Sequence, residues 1–406
     1  MHTTPHLNAS ASFTRSNRRE FLCKAGNASA GLAVSQWLFG NSSSAAEHNS
    51  GNMVVHTTSP LNSEPKLAVL TNSWITPVES FYVRSHAPNP KINPSSFRLT
   101  VEGLVDKPLS ISLAELSGTF DATSVVSTMT CAGNRRSEHS LVKPVGGVPW
   151  KAGAIGNARW SGVRLSEVLK KAGLKENAKR VWFEGLDEIS KGRGIIPFGA
   201  SIPVSKAMTD KEGMPGALLT TKMNDQLLTP DHGAPLRGVV PGYIGARSVK
   251  WLGKIVVSDR PSPNHYVATA YKLVREGTPI EWAESGPLYR FPLNSVICSP
   301  EPNATVAADK VAVSGYAYPS GQPGSTIAKV EVSADEGRSW TTAKITSPVR
   351  EHCWALWKAD VKVSSSTSEL TVRATDSRGD TQPAEATWNL KGYMFNGWYH
   401  IPVNAG

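Results

Sequence analysis

Cysteine is scarce, four in 406 residues, and no two of the four stand in a C-x-x-C pair. That excludes a disulfide framework, a zinc ribbon and a dithiol redox centre, and without a C-x-x-C-H run there is no site for covalent haem. Any cysteine with a chemical task acts singly. Basic runs interleaved with aromatics, which would read as a nucleic-acid surface, are missing too. So are an internal repeat and an apolar stretch long enough to span a membrane. What is present is a chain 40% hydrophobic, too apolar for disorder and long enough for two or three domains, each with its own core.

The first residues carry "SNRREFLCKAG", with Arg18 and Arg19 followed by Phe21, Leu22 and Lys24, then an uncharged stretch from Ala25 to Ala46. Asn27, Ser29, Ser35 and Gln36 make that stretch too polar for a membrane helix, and "SSSAAE" offers small residues for cleavage near Ala46. Residues 1–46 read as a twin-arginine export signal, with an unstructured basic tail as the alternative. This route carries folded proteins, so it hints at a prosthetic group inserted before export. Removing the segment lowers the formal net charge from +10 to about +7. A chain that basic suits an anionic substrate or an acidic redox partner.

Residues 47–75, rich in Ser, Asn, Thr and Pro, read as an extended arm. Alternating Phe97, Leu99 and Val101 predict a strand, "SISLAEL" a serine-capped helix start, and "RLSEVLKKAGL" a helix that stops at Gly173. "RVWFEGL" and "VKWLGKIVVS" are further strands among Gly/Pro-rich loops. Residues 76–294 are therefore expected to form a mixed α+β domain. Beyond it "KVAVSGYAY", "IAKVEVSADEGRSW", "HCWALWKADV", "ELTVRATDSRGD" and "EATWNLKGY" alternate apolar and polar residues between turns. That spacing predicts an all-β immunoglobulin-like sandwich over 295–406. Cys298 and Cys353 within it could pair or remain as two buried thiols.

The most informative stretch is "STMTCAGNRRSEHS": a β-branched run, then Cys131, a glycine turn, and the adjacent Arg135 and Arg136. Nearby positive charge favours thiolate, the form that binds soft metals or attacks an electrophile. The bland alternative is a small buried apolar residue. Arg84, His86, His232, Arg237, Arg247 and Lys250 are scattered through Gly/Pro-rich loops, where side chains and backbone N–H groups can face an anion. Taken singly, each is an ordinary surface cation.

Six segments in order, "FYVRSH", "TCAGNRRSE", "VPWKAGAIGNARWSGVRL", "FEGLD", "DHGAPLRGVVPGYIGARSVKWLGKI" and "WNLKGYMFNGWYHIPV", resemble the sulfite oxidase family of molybdopterin enzymes. They are most like the catalytic subunits of bacterial periplasmic sulfite dehydrogenases. The resemblance runs from about residue 75 to the C-terminus. It implies the family's molybdopterin-binding fold followed by a dimerisation-type β domain, and a molybdenum–molybdopterin cofactor with Cys131 as the protein's sulfur ligand. Tyr82, Val83, Arg84, Ser85, His86, Asp187, His232, Arg237, Ser248, Val249 and Lys250 fall on cofactor-binding positions. Arg and Lys suit a terminal phosphate, Asp and His the edges of a pterin. Arg84, Arg136, Trp150, Tyr271 and Lys391 fall on positions of the substrate pocket; for Trp150 and Tyr271 the alternative is core packing. Lys391 is a departure, since the family's animal and plant members resemble one another in having arginine there, and lysine lacks the planar fork.

The implied reaction is oxygen-atom transfer that oxidises sulfite to sulfate in the periplasm. No haem or flavin domain fits in the remaining length, so the electrons would pass to a separate c-type cytochrome. A homodimer is implied. Relatives acting on another sulfur oxyanion, a sulfoxide or nitrate stay open as alternatives, as does an exported binding or scaffold protein without catalysis.

Overall fold

The computed structural model describes residues 51–192, 194–211 and 214–406. The expected export signal lies outside the described residues. Two five-stranded sheets build the domain that precedes residue 294. The first is mixed: Leu252–Ser258 runs parallel to Arg98–Gly103 and antiparallel to Arg180–Gly185, with Leu109–Ser112 and Gly199–Pro203 at the edges. Phe97, Leu99 and Val101 all turn into one apolar core with Phe183, Ile255 and Leu252, as their alternation requires. Leu165–Ala172 buries Leu165, Val168, Leu169 and Ala172 against that core, the spacing of one helix face. It stops at Gly173, whose φ of 71° is left-handed. Ser112 caps Leu113–Thr119 in a reciprocal box with Glu115.

The second sheet pairs Ala122–Thr130 with Ile155–Arg164 in unbroken register from Ala122↔Val163 to Thr130↔Ile155. Its far end delivers Cys131 directly after the last paired residue. The expected extended arm is instead a hairpin, Met53–Thr58 with Leu61–Pro65, whose second strand also pairs Asn62 with Arg84 and Ser63 with Val83. Composition concealed it because Asn62, Ser63 and Glu64 are buried polar residues rather than an apolar face.

The C-terminal part is all β. One sheet orders Asn294–Ser299, Asp309–Tyr318, Ala355–Val363 and Lys344–Ile345. The other orders Ala304–Val306, Tyr399–Ala405, Glu369–Asp376, Ile327–Ser333 and Thr341–Thr342. Val313 and Trp357 from the first share a core with Val330, Leu370 and Val372 from the second. Against expectation "EATWNLKGY" forms no strand. Its groups bond across to the other domain: Leu390 N donates to Val274 O and the Trp388 indole to Lys143 O. The closing strand is Tyr399–Ala405 instead, parallel to Ala304–Val306 and antiparallel to Glu369–Asp376. Cys298 and Cys353 are unpaired buried thiols, and burial pushes the Cys353 thiol up to about 12. A third apolar cluster joins the two domains, with Ala132, Ile155 and Tyr271 on one side and Val296, Tyr316 and Trp354 on the other.

Candidate active site

Cys131 is held by its backbone, with its N–H donating to Ala154 O at 2.9 Å, while Gly133 N–H points at Sγ from 3.4 Å. It opens onto a cleft of about 680 Å³ whose walls include Tyr82, Arg84, Ser85, His86, Asp187, His232, Arg237, Ser248, Lys250 and Tyr271. Ten residues scattered over 190 positions of sequence thus meet around one sulfur. Two non-glycine residues of the wall, Trp251 at φ 50° and Tyr271 at φ 51°, hold left-handed backbone, the kind of strain that persists where the surroundings impose it.

The wall is cationic and under stress. Lys250 Nζ donates to Ser85 Oγ at 2.7 Å and to Asp231 O at 2.9 Å; burial, reinforced by Arg237, pulls it down to about 7. Arg237 donates to His232 O and Ser248 O, lies over the Trp160 ring, and keeps a buried Nε without a partner. Its burial lowers it to about 10. His232, lowered to about 3 by burial and then by Arg237, is a neutral imidazole whose Nε2 lies 3.2 Å from Val78 O. His86 is likewise held neutral by burial and then by Arg84 and Lys250; it stacks on Phe198 and its Nε2 lies 3.4 Å from the Tyr271 hydroxyl. Burial raises the Tyr271 and Tyr82 phenols, so both stay protonated donors. Asp187 is raised by burial although it accepts Phe198 N–H at 3.0 Å.

The adjacent arginines part company. Arg135, at φ 66°, turns away into a two-bonded pair with Glu138 (2.7 and 2.6 Å) and donates to Asn294 Oδ1, Gly397 O and Trp398 O. It ties the domains together, its guanidinium committed to Glu138 and to groups of the second domain. Arg136 donates to Val148 O and Lys391 O. Its guanidinium occupies space that only glycine leaves: a Cβ on Gly133 would stand 2.4 Å from Nη2 and one on Gly147 2.9 Å from Nη1. Arg136 is thus set beside the Cys131 loop, just outside the lining of the cleft.

Other expected residues are placed differently. Val83 and Val249 are buried behind the cleft, Val83 paired with Ser63 and Val249 in the core of the first domain. Trp150 is buried behind Tyr82, 6.5 Å between ring centroids, with a buried Nε1 that has no partner. The Lys391 ammonium lies over the Trp282 ring at 5.8 Å, on an exposed side chain away from the cleft. Arg247 bonds Leu288 O and Tyr266 O inside the fold. Sequence reasoning missed Asn62, whose Oδ1 accepts from both Arg84 Nη1 and Ser85 N–H, and Phe198, the plate beneath His86. No local pattern marks either one. Gly245 carried a usable signal: a Cβ there would stand 2.7 Å from the Tyr82 hydroxyl, so a glycine in "YIGARS" marks a close approach.

The chain matches the family described as "Oxidoreductase molybdopterin binding domain" over residues 86–266 and that described as "Mo-co oxidoreductase dimerisation domain" over 286–406. It is 39% identical over 358 residues to the sulfite oxidase of Gallus gallus, covering 85% of this chain and 76% of that protein. The chain belongs to the sulfite oxidase family. To the sulfite oxidase of Arabidopsis thaliana it is 35% identical, covering 87% of this chain and 94% of that one. It spans between 62% and 94% of the curated sulfite oxidases it matches. Among solved structures the sulfane dehydrogenase SoxCD from Paracoccus pantotrophus superposes with a TM-score of 0.70 at 28% identity, over 84% of each chain. As a family member, the protein is a molybdopterin-dependent oxidoreductase with a mixed α+β cofactor domain and an all-β second domain. No cluster of three or more His, Cys, Asp or Glu stands ready to hold a metal among the described residues. A lone cysteine beside a cationic wall fits a metal carried by an anionic organic group.

Proposed function

We propose that the chain oxidises sulfite to sulfate with a molybdenum–pterin group held in the cleft, and passes the electrons to a separate c-type cytochrome. The observation that carries this reading is the Cys131 thiol opening onto a wall where Lys250 is pulled to about 7 and the Arg237 Nε has no protein partner. Such groups fit an anionic cofactor, since a phosphate beside them would supply the missing acceptor and favour their charged forms. Arg237, Lys250 and Ser85 would hold its phosphate end, Asp187 and neutral His232 its ring edges, and Cys131 the metal. When bound, the group supplies two-electron oxygen-atom transfer.

The chain's own residues would do the rest. Arg84 and Arg136 attract and orient the oxyanion. The protonated Tyr271 phenol donates a hydrogen bond where charge builds on it, and neutral His86 beside that phenol adds no positive charge. In balance, sulfite and water become sulfate, two protons and two electrons. The electrons leave for the cytochrome, whose acidic face an exported chain of net charge about +7 would attract. Export of the folded protein by the twin-arginine segment would place the reaction in the periplasm, and the β domain would support a homodimer.

The likeness to a sulfane dehydrogenase, together with the Lys391 ammonium lying off the cleft, supports a second reading in which the substrate is a sulfane sulfur. Reduction of cytochrome c by the molybdenum-loaded enzyme with sulfite or with a sulfane compound as electron donor distinguishes the two, while methionine sulfoxide and nitrate are assayed separately as oxidants of a reduced dye. Turnover with sulfite supports the first reading; turnover with the sulfane compound alone supports the second. Protein without molybdenum from a cofactor-competent host would contradict both.

A further inference from the structure

The segment over residues 389–398 leaves the second domain and is stitched to the rim of the cleft. Met394 N–H donates to Ala132 O at 2.8 Å, one residue past Cys131, and Leu390 N–H donates to Val274 O at 2.8 Å. Inside it three successive residues converge on Arg136. Lys391 offers its carbonyl to Arg136 Nε at 3.0 Å. Gly392, at φ 58°, offers room: a Cβ there would stand 2.6 Å from Arg136 Cγ. Tyr393 offers its ring, 5.2 Å from the guanidinium carbon.

Tyr393 is set with more care than packing alone needs. Asn389 brackets its backbone, accepting from Tyr393 N–H at 3.0 Å and donating to Tyr393 O at 2.8 Å, and His139 Nε2 lies 3.2 Å from the same carbonyl. The ring then lies nearly parallel to that of Tyr271, 5.2 Å between centroids at 16°. One aromatic plate therefore touches two groups that the sulfite reading assigns to the oxyanion, the Arg136 guanidinium and the Tyr271 phenol. Burial raises the Tyr393 phenol, and Arg136, Cys131 and Arg84 are among the groups that act on it, which places it within electrostatic reach of the cleft. Meanwhile the Lys391 side chain leaves for Trp282.

We infer that Tyr393 is a positioning residue for the anion end of the cleft: its ring fixes Arg136 and Tyr271 relative to each other and so sets the affinity for the oxyanion. This rests on the proposed sulfite reading and adds to it the residue through which the second domain shapes substrate affinity. A guanidinium over an aromatic face and a stacked ring pair are each modest alone, and losing the face that holds both should weaken anion binding about tenfold.

The test uses the molybdenum-loaded enzyme as wild type, Tyr393→Phe, Tyr393→Met and Tyr393→Leu. Measured are sulfite KM and kcat, the sulfate dissociation constant by calorimetry, molybdenum content and melting temperature. Expected for Tyr393→Met, which fills the volume without a π face, are a KM and a sulfate dissociation constant raised about tenfold with kcat within about threefold. Tyr393→Phe should stay within about twofold of wild type on both. Tyr393→Leu should follow Tyr393→Met; if either unfolds or fails to load metal, the other carries the comparison, and Tyr393→Phe against wild type still reads the hydroxyl. Unchanged KM and dissociation constant in Tyr393→Met overturn the inference, and so does a Tyr393→Phe as weak as Tyr393→Met. If wild type fails to oxidise sulfite the substrate reading is lost, while the sulfate constants still decide the role of Tyr393.

Discussion

The cleft and the β domain bury side chains to a similar depth, yet they solve different problems. In the β domain the core is Val330, Val372, Leu370 and Trp357, and the buried carboxylate of Glu331 is paired with two more exposed cations, Lys329 and Arg373. In the cleft, cations crowd without carboxylates enough to pair them, and Lys250, Arg237 and His232 are all driven toward their neutral forms. Of twelve buried side-chain atoms without a partner among the described residues, only two, His352 Nδ1 and Trp357 Nε1, follow residue 294. Of the ten that precede it, Arg237 Nε is the one carried by a residue that lines the cleft. The β domain supplies stability, and the cleft stores an electrostatic cost that a bound anion would offset.

The sharpest way to break this contrast lies in two neighbouring residues. Arg135→Met should cost about 3–5 kcal/mol in denaturant unfolding, because it leaves Glu138 facing buried surroundings and frees Gly397 O and Trp398 O at the domain seam. Arg136→Met frees only Val148 O and Lys391 O, so it should cost less stability, about 1–2 kcal/mol, and should weaken sulfate binding by about a hundredfold, read by calorimetry. Equal effects of the two on stability would erase the division between tie and site.

A smaller effect concerns pH. His352 is lowered to about 3 by burial and then by Lys206, Arg290 and Lys211, in spite of Glu351 at 3.3 Å. Above the unfolded value of about 6.5 neither state holds the proton. Below it the unfolded chain takes one that the folded chain refuses, so stability falls as pH drops, by about 2 kcal/mol at pH 5. His352→Gln should remove that share of the acid slope in unfolding curves at pH 7 and pH 5. An unchanged slope would contradict it. Smallest of all is Lys391→Met: with its ammonium over Trp282, sulfite KM should change by less than about twofold. A larger rise would bring that side chain back into the pocket.

Periodic features are legible in the amino-acid order itself. The Ser112–Glu115 box, the Leu165, Val168, Leu169, Ala172 face and the Leu99, Val101 alternation depend on local spacing, which a sequence displays directly. Cys131 and most of the cleft cations are legible through ordered motifs rather than through their own surroundings. What escapes depends on direction. That Arg135 and Arg136 point apart is set by a left-handed backbone at a non-glycine position, for which "GNRRSE" offers no sign. Asn62 acts from a hairpin whose polar residues are buried, and the 385–393 segment alternates like a strand while its hydrogen bonds go to another domain. Pattern reports periodicity but not partners.

The central claim is that Cys131 is the protein's sulfur ligand to molybdenum. X-ray absorption at the molybdenum K-edge on wild type and Cys131→Ser tests it most directly, with sulfite turnover measured on the same samples. The account predicts one sulfur neighbour fewer in the variant, retained fold and pterin, and abolished turnover, because a hydroxyl is a harder and poorer donor to molybdenum than a thiolate. Identical sulfur shells with turnover preserved would contradict it.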